Sequence, residues 1–189
     1  MDFLERLLEV CRAQNSLLCV GLDPIPEQLP EGVHDKPDPI LAFNQAIVEA
    51  TAGWAAAYKP NIAFYEALGP AGLNTLRCTI SFIHRQAHAL VILDAKRNDV
   101  GHTSAAYARA VFDLLDADAV TLNPYLGSDA LAPFLERPDR GCFILCRTSN
   151  PGAGEFQDLL VDGRPLYQVV AQRVRQWNTR GNCGLVVGA

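Results

Sequence analysis

The run LVILDAK at residues 90–96 passes directly from apolar to charged residues. Its first part is uninterrupted hydrocarbon, without the alternation of apolar and polar residues that marks a strand with one face in water. Such a run is typical of a parallel strand that is covered on both faces. The charges come only at its carboxyl end, where parallel α/β folds bind their ligands. The stretch therefore predicts a buried parallel strand that ends in a functional site.

Other apolar runs of the same kind alternate with segments of helical period. The predicted strands are residues 16–23, 55–61, 90–96, 119–125, 141–149 and 184–189. The predicted helices are residues 2–14, 38–52, 71–87, 103–115, 128–136 and 165–178. A regular alternation of strand and helix indicates an α/β fold with right-handed crossovers.

Several predicted strands share a further feature, because they end in a polar residue followed closely by proline. The pairs are Asp23 with Pro24, Lys59 with Pro60, Asn123 with Pro124, and Ser149 with Pro151. In a parallel barrel every strand ends on the same face, and active sites lie there. A doubly wound sheet usually carries a glycine-rich first turn, whereas the first turn here is VGLDPIPEQLP (residues 20–30). We therefore predict a (β/α)8 TIM barrel.

The length of 189 residues is short for this fold, since a closed barrel takes about 250. The last apolar run, GLVVGA, reaches residue 189. We therefore expect a single incomplete barrel domain over residues 1–189 that carries roughly strands 1 to 6, with about two βα units absent.

Composition limits the partners of the chain. The net charge of −5 and the pI near 5.3 argue against a broad surface for nucleic acid or anionic membranes, which requires excess basic residues. We find no apolar run of about 18 residues and no amino-terminal signal peptide. The six cysteines form no C-x-x-C pair and no zinc-site pattern. We expect free thiols, no metal, and a cytoplasmic location.

The charged end of the 90–96 run carries the chemistry. Side chains two apart on a strand project to the same side, so Asp94 and Lys96 are expected together, with Asp99 in the turn that follows. Such charges are costly in an apolar setting unless they are paired. A salt bridge that only stabilises the barrel mouth is one interpretation. The functional one is a lysine kept protonated, which suits proton donation to a carbanion and not formation of a Schiff base.

The motif Asp94-x-Lys96-x-x-Asp99, followed by Gly101 and Thr103, resembles the strand-three motif of orotidine 5′-phosphate decarboxylases, in particular the bacterial second type. Two other parts of the chain show the same similarity in the same order: VGLD at residues 20–23 and TSNPGA at residues 148–153. The lysine at the end of the second predicted strand, Lys59, also matches. The resemblance extends over essentially the whole chain.

The resemblance implies cofactor-free decarboxylation of orotidine 5′-phosphate to UMP in pyrimidine synthesis. Lys96 is then the proton donor to C6 of the pyrimidine, and Asp94 holds Lys96 near the substrate carboxylate. Lys59 is expected to bridge the ribose and Asp94, Asp23 to accept a hydrogen bond from a ribose hydroxyl, and Ser149 to bind the pyrimidine.

The resemblance also implies a homodimer in which Asp99 and Thr103 reach into the active site of the neighbouring subunit. The phosphate of the substrate is held in the family by loops after the last two strands, which we do not find in the chain. An inactive fragment or pseudoenzyme of the same barrel is therefore an alternative. The roles of His102 and Arg147, and fusion to a phosphoribosyltransferase, stay open at this point.

Two further alternatives are enzymes. A sugar-phosphate decarboxylase or hexulose-phosphate synthase of the same superfamily shares D-x-K-x-x-D but uses Mg2+ and an acidic residue on strand two, where this chain has Lys59. A Schiff-base aldolase barrel would use a neutral lysine.

Overall fold

The computed structural model describes residues 1–188, in which helices and parallel strands alternate. The strands are β1 (Leu18–Leu22), β2 (Ala55–Pro60), β3 (Leu90–Arg97), β4 (Ala119–Leu122), β5 (Gly141–Arg147), β6 (Leu160–Val161), β7 (Arg164–Pro165) and β8 (Cys183–Val187). The α-helices are α1 (Phe3–Gln14), α2 (Glu31–His34), α3 (Pro39–Thr51), α4 (Ile62–Glu66), α5 (Gly69–Gln86), α6 (Gly101–Arg109), α7 (Ser128–Leu135), α8 (Gly154–Gln157) and α9 (Leu166–Trp177). A π-helical turn (Ala110–Leu114) continues α6.

The main sheet is parallel and runs in the order β1-β2-β3-β4-β5-β8. Each strand pairs with the next long strand of the chain, so no strand order reverses as it does in a doubly wound sheet. The α/β fold, the barrel topology and the six predicted strands are confirmed. No helix within residues 1–188 is long and apolar enough to cross a membrane.

Several details of the sequence-based prediction were wrong. The strand β1 covers Leu18–Leu22 and not residues 16–23, and β5 ends at Arg147 and not at residue 149. The strand β4 ends at Leu122 and not at residue 125. Asn123 still donates its N–H to the carbonyl of Arg97, but Pro124 follows with no N–H to continue the pairing. The hairpin of β6 and β7 was missed. Its turn residues, Asp162 and Gly163, have φ of 50° and 76°, as a tight Asp-Gly hairpin turn requires.

The core fills the space between the sheet and its helices. The strand β4 is buried along its whole length, and β2 is buried except at Lys59. The tyrosines Tyr58 and Tyr65 lie fully buried. Each hydroxyl is hydrogen-bonded, for example that of Tyr65, which accepts from Asn44 and donates to the carbonyl of Leu22. Satisfied polar groups of this kind cost little when they are buried.

A buried carboxylate ties the amino-terminal end of the sheet to its helices. Asp118, just before β4, accepts hydrogen bonds from Arg6 of α1, from His84 Nε2 of α5 at 2.9 Å and from the Val91 N–H of β3 at 2.8 Å. Burial raises the pKa of Asp118, but the hydrogen bonds from His84 and Val91 and the charge of the histidine outweigh it, and the pKa lies below its usual value. His84 lies at the surface, and its ring contributes to the fold by bonding this buried carboxylate.

The outer strands of the sheet differ from the central ones. Within residues 1–188, β1 and β8 each pair with a neighbour on one side only. Their apolar side chains reach solvent, with Leu18 48% exposed and Val187 65% exposed. Open strand edges with exposed apolar residues favour pairing with other chains.

We predict that the chain of residues 1–189 associates through these edges. The double variant Leu18→Lys with Val187→Lys should shift association to at least ~10-fold higher protein concentration, because lysines on an edge strand oppose pairing. Size-exclusion chromatography with light scattering across a concentration series measures the shift.

The matched control is Leu73→Lys on the outer face of α5, a leucine of comparable exposure. It should leave association unchanged. A chain that stays monomeric at every concentration, or a control that dissociates the chain equally well, would contradict the prediction.

Candidate active site

Two lysines and one aspartate meet where β2 and β3 end. Lys59 Nζ lies 3.3 Å from Asp94 Oδ2, and Lys96 Nζ lies 2.7 Å from Asp94 Oδ1. The two strands are neighbours, and a further β-bridge joins Asn61 to Asp94 beyond their regular pairing. The expectation that Asp94 and Lys96 project together is confirmed by their contact.

The backbone of β3 is irregular at this point. Leu93 pairs with Val120 and Arg97 pairs with Leu122, so β3 carries extra residues between two positions of β4. Lys96 lies at φ 48°, in the left-handed region that residues other than glycine rarely adopt. Irregularities of this kind bend a strand and re-aim its side chains, and they are common beside active sites.

The carboxylate of Asp94 is the most enclosed charge of this cluster. Its side chain is 11% exposed, against 35% for Lys59 and 49% for Lys96. Burial raises the pKa of Asp94, but hydrogen bonds from Lys96 and Thr121 and the charges of the two lysines outweigh it, so the pKa lies below its usual value. The aspartate is therefore ionised at neutral pH, and two lysine side chains are paired with it.

Two of the expected substrate-binding residues lie at the same end of the sheet. Asp23 directly follows β1, and Ser149 follows β5 by two residues; both are exposed. Neither forms a hydrogen bond or ion pair with the lysines or with Asp94 in the described chain. The backbone is tight beside Ser149, because a Cβ placed on Gly188 would lie 2.8 Å from the Ser149 nitrogen.

Asp99 and Thr103 lie outside the cluster. The carboxylate of Asp99 accepts a hydrogen bond from the Val100 N–H at 2.7 Å, and no salt bridge joins it to Lys96 within residues 1–188. Thr103 is exposed in the first turn of α6. The structure thus brings together Lys59, Asp94 and Lys96 but shows no contact of Asp99 or Thr103 with them within residues 1–188, and the role of these two residues in a partner's site stays a prediction.

Sequence reasoning missed Thr121 of β4, whose hydroxyl donates to Asp94 Oδ1 at 2.7 Å. A threonine inside an apolar strand gives no separate signal, because β-branched residues are common in strands. It also missed Asn98, whose side-chain amide donates to the carbonyl of Asn123 at 2.6 Å and so fixes the loop after β3. Proximity to the D-x-K-x-x-D motif was the available signal for Asn98.

The two residues left open by the sequence have distinct positions. Arg147, at the end of β5, pairs with Asp158 at 3.1 Å and donates to the carbonyl of Thr148 at 2.7 Å. It is a salt-bridge partner that ties β5 to the segment after it. His102 is exposed at the start of α6.

Within residues 1–188, neither a metal cluster nor the best-defined cavity coincides with the lysines. In the part of the chain that the structure describes, no group of three or more His, Cys, Asp or Glu side chains is arranged to hold a metal ion. A cavity of about 530 Å3 lies between the segment after β1 and helix α5, and its lining contains none of the predicted site residues. The charged cluster, open to solvent, is the better candidate because catalytic groups with shifted pKa values gather at such sites.

Comparison with known proteins agrees with this geometry. Residues 16–189 match the model of the "Orotidine 5'-phosphate decarboxylase / HUMPS family". The chain is similar to proteins named orotidine 5′-phosphate decarboxylase from Thermomicrobium roseum, with 56% identity over 100% of the chain and 68% of the relative, and from Roseiflexus castenholzii, with 54% identity over 100% and 69%.

A solved structure gives the same result in three dimensions. The Leishmania donovani OMP decarboxylase superposes with a TM-score of 0.88 and 41% identity, covering 100% of this chain and 71% of that one. The match extends over the strands that carry Lys59, Asp94 and Lys96, and over nearly the whole sequence. The chain belongs to the orotidine 5′-phosphate decarboxylase / HUMPS family.

Proposed function

We propose that the site decarboxylates orotidine 5′-phosphate to UMP, a step of pyrimidine biosynthesis, with Lys96 as the proton donor. The reaction is the one named for the relatives at 54–56% identity. The catalytic role is assigned to these residues because both lysines contact the buried Asp94 at the ends of β2 and β3.

The chemistry follows from the charges. The bond between C6 of the pyrimidine and its carboxylate breaks, CO2 leaves, and the electron pair stays on C6. The ammonium of Lys96 stabilises this developing negative charge and then gives its proton to C6. Lys96 regains a proton from solvent, which its 49% exposed side chain can reach.

The remaining roles follow from the resemblance of the motifs, and the positions of the residues are compatible with them. Asp94 holds the ammonium of Lys96 in place through their 2.7 Å contact, and it is assigned a position beside the departing carboxylate. Lys59, bonded to the other oxygen of Asp94, is placed to bridge to the ribose. Asp23 and Ser149 are exposed at strand ends on the same face, where Asp23 is assigned to a ribose hydroxyl and Ser149 to the pyrimidine.

We further propose a homodimer in which Asp99 and Thr103 complete the site of the neighbouring subunit. Support comes from the motif Asp94-x-Lys96-x-x-Asp99 followed by Thr103, and from the lack of a salt bridge between Asp99 and Lys96 within residues 1–188. The six cysteines are free thiols, which suits the reducing cytoplasm where we place the enzyme.

One competing function lies within the same family description, a sugar-phosphate decarboxylase or hexulose-phosphate synthase that uses Mg2+. The ammonium of Lys59, 3.3 Å from Asp94, opposes a divalent cation at that carboxylate, and the relatives' names favour the orotidine substrate. A Schiff-base aldolase is disfavoured because Lys96 is ion-paired with Asp94. If the chain is an inactive fragment or a pseudoenzyme with this fold, no turnover is expected.

The first functional prediction concerns Lys96→Ala. We expect kcat to fall by at least ~100-fold, the usual contribution of a general acid, while UMP still binds. The variant is compared with wild type in two forms. One is the chain itself, and the other is a fusion in which residue 189 is followed by the segment of the Thermomicrobium roseum relative that lies after the matched region. Loss of absorbance of orotidine 5′-phosphate measures turnover, and calorimetry measures UMP binding.

Lys36→Ala is the matched control, because Lys36 is an exposed lysine outside the cluster, and it should leave kcat unchanged. A Lys96→Ala variant that keeps more than about a tenth of wild-type kcat, a barrier change below ~1.4 kcal/mol, is incompatible with Lys96 as the proton donor.

The next prediction tests the shared site. Mixing Lys96→Ala subunits with Asp99→Ala subunits should restore activity as heterodimers form, because one of the two sites then has both residues intact. Subunit exchange is followed by native mass spectrometry and turnover is followed in the same samples.

A mixture of Lys96→Ala with Lys59→Ala is the control, since these lysines contact the same Asp94 within one chain and no heterodimer site contains both. No recovery in the first mixture despite exchange would show that Asp99 acts within its own subunit or not at all. Equal recovery in the control would show that the regained activity does not come from a shared site.

A further inference from the structure

The hydroxyl of Thr121 makes three hydrogen bonds next to the cluster of Lys59, Asp94 and Lys96. It donates to Asp94 Oδ1 at 2.7 Å and accepts from the backbone N–H groups of Ala95 at 3.0 Å and Lys96 at 2.9 Å. A threonine hydroxyl has one proton and two lone pairs, so its hydrogen-bonding capacity is fully used. Thr121 is 4% exposed, and solvent does not compete for these bonds.

The two accepted bonds fall where β3 leaves its regular pairing. Between Leu93 and Arg97 the register with β4 shifts, so the N–H groups of Ala95 and Lys96 have the Thr121 side chain as acceptor in place of a strand carbonyl. The same stretch holds Lys96 at φ 48°. An unfavourable backbone conformation persists only when the surrounding structure imposes it, and here Thr121 supplies that constraint.

The donated bond fixes the other partner of the same ion pair. Asp94 Oδ1 receives both the Thr121 hydroxyl and the ammonium of Lys96, each at 2.7 Å. One hydroxyl therefore bonds both the Asp94 carboxylate and the backbone of Lys96. The direction of the Lys96 side chain depends on Thr121, which is buried below the exposed lysine and is not assigned a substrate contact.

We propose that Thr121 is the positioning residue of the decarboxylation, holding Asp94 and the backbone of Lys96 in the one arrangement that directs the ammonium at C6. This proposal rests on the proposed function. Small displacements of a catalytic group reduce kcat with little change in substrate binding when the lost interaction is made only in the transition state.

The test compares Thr121→Val, which keeps the shape and removes the hydroxyl, with Thr121→Ser, which keeps the hydroxyl. Thr79→Val is the matched control, because Thr79 is equally buried and its hydroxyl accepts from Asn44 at 3.0 Å in the core. Turnover is measured in the chain and in the fusion described above. Each variant of the chain is compared with the wild-type chain, and each variant of the fusion with the wild-type fusion. Amide hydrogen exchange of Ala95 and Lys96 is measured in the chain.

We expect Thr121→Val to lower kcat at least ~10-fold with KM changed less than about threefold, and to increase exchange at Ala95 and Lys96. Thr121→Ser should stay within about threefold of wild-type kcat, which also tests the proposal should the valine variant fold poorly. Thr79→Val should lower thermal stability without selective loss of kcat.

The proposal is overturned by a Thr121→Val variant of wild-type kcat, by a serine variant that loses more than about tenfold, or by equal kcat losses in Thr121→Val and Thr79→Val. These outcomes leave the proposed function intact as long as Lys96→Ala is inactive. Turnover that survives in Lys96→Ala would instead overturn the proposed function itself.

Discussion

Burial of the Asp94 carboxylate at the end of β3 is the constraint on which the site depends. A charge removed from water is tolerated only when hydrogen bonds and opposite charges replace its hydration. Lys96, Lys59 and Thr121 provide this replacement, at 2.7, 3.3 and 2.7 Å. The ion pair between Lys96 and Asp94 thus has two effects. It stabilises the buried carboxylate, and it holds the ammonium that we propose as the proton donor.

The fold supplies this interaction through parallel strands. Adjacent strands that end on one face bring Lys59 of β2 and Asp94 of β3 together, and β4 adds Thr121 from the other side. At the opposite end of the sheet, Asp118 joins α1, α5 and β3 through its own buried hydrogen bonds. One buried carboxylate thus stabilises the fold and the other organises the chemistry.

Sequence patterns predicted the parts of this arrangement that depend on local periodicity. The apolar runs located the six parallel strands, and the two-residue spacing located the Asp94–Lys96 contact. They did not predict Thr121 or the left-handed Lys96, because a register shift between two strands depends on pairing of distant residues and leaves no periodic signal. Asp99 lies in the turn after β3, as its spacing predicted, and its carboxylate accepts a hydrogen bond from the Val100 N–H there.

The ionisation of Asp94 tests the account most directly, by a carbon-13 NMR titration of its carboxyl group assigned with the Asp94→Asn variant. Because its folded-state pKa is lowered, its ion pairs stabilise the fold above the unfolded pKa of about 3.9, and this contribution is lost as the pH falls through the folded value. The account predicts a folded pKa below about 3.9. A pKa at or above that value would show that the lysines and Thr121 do not hold the carboxylate as described.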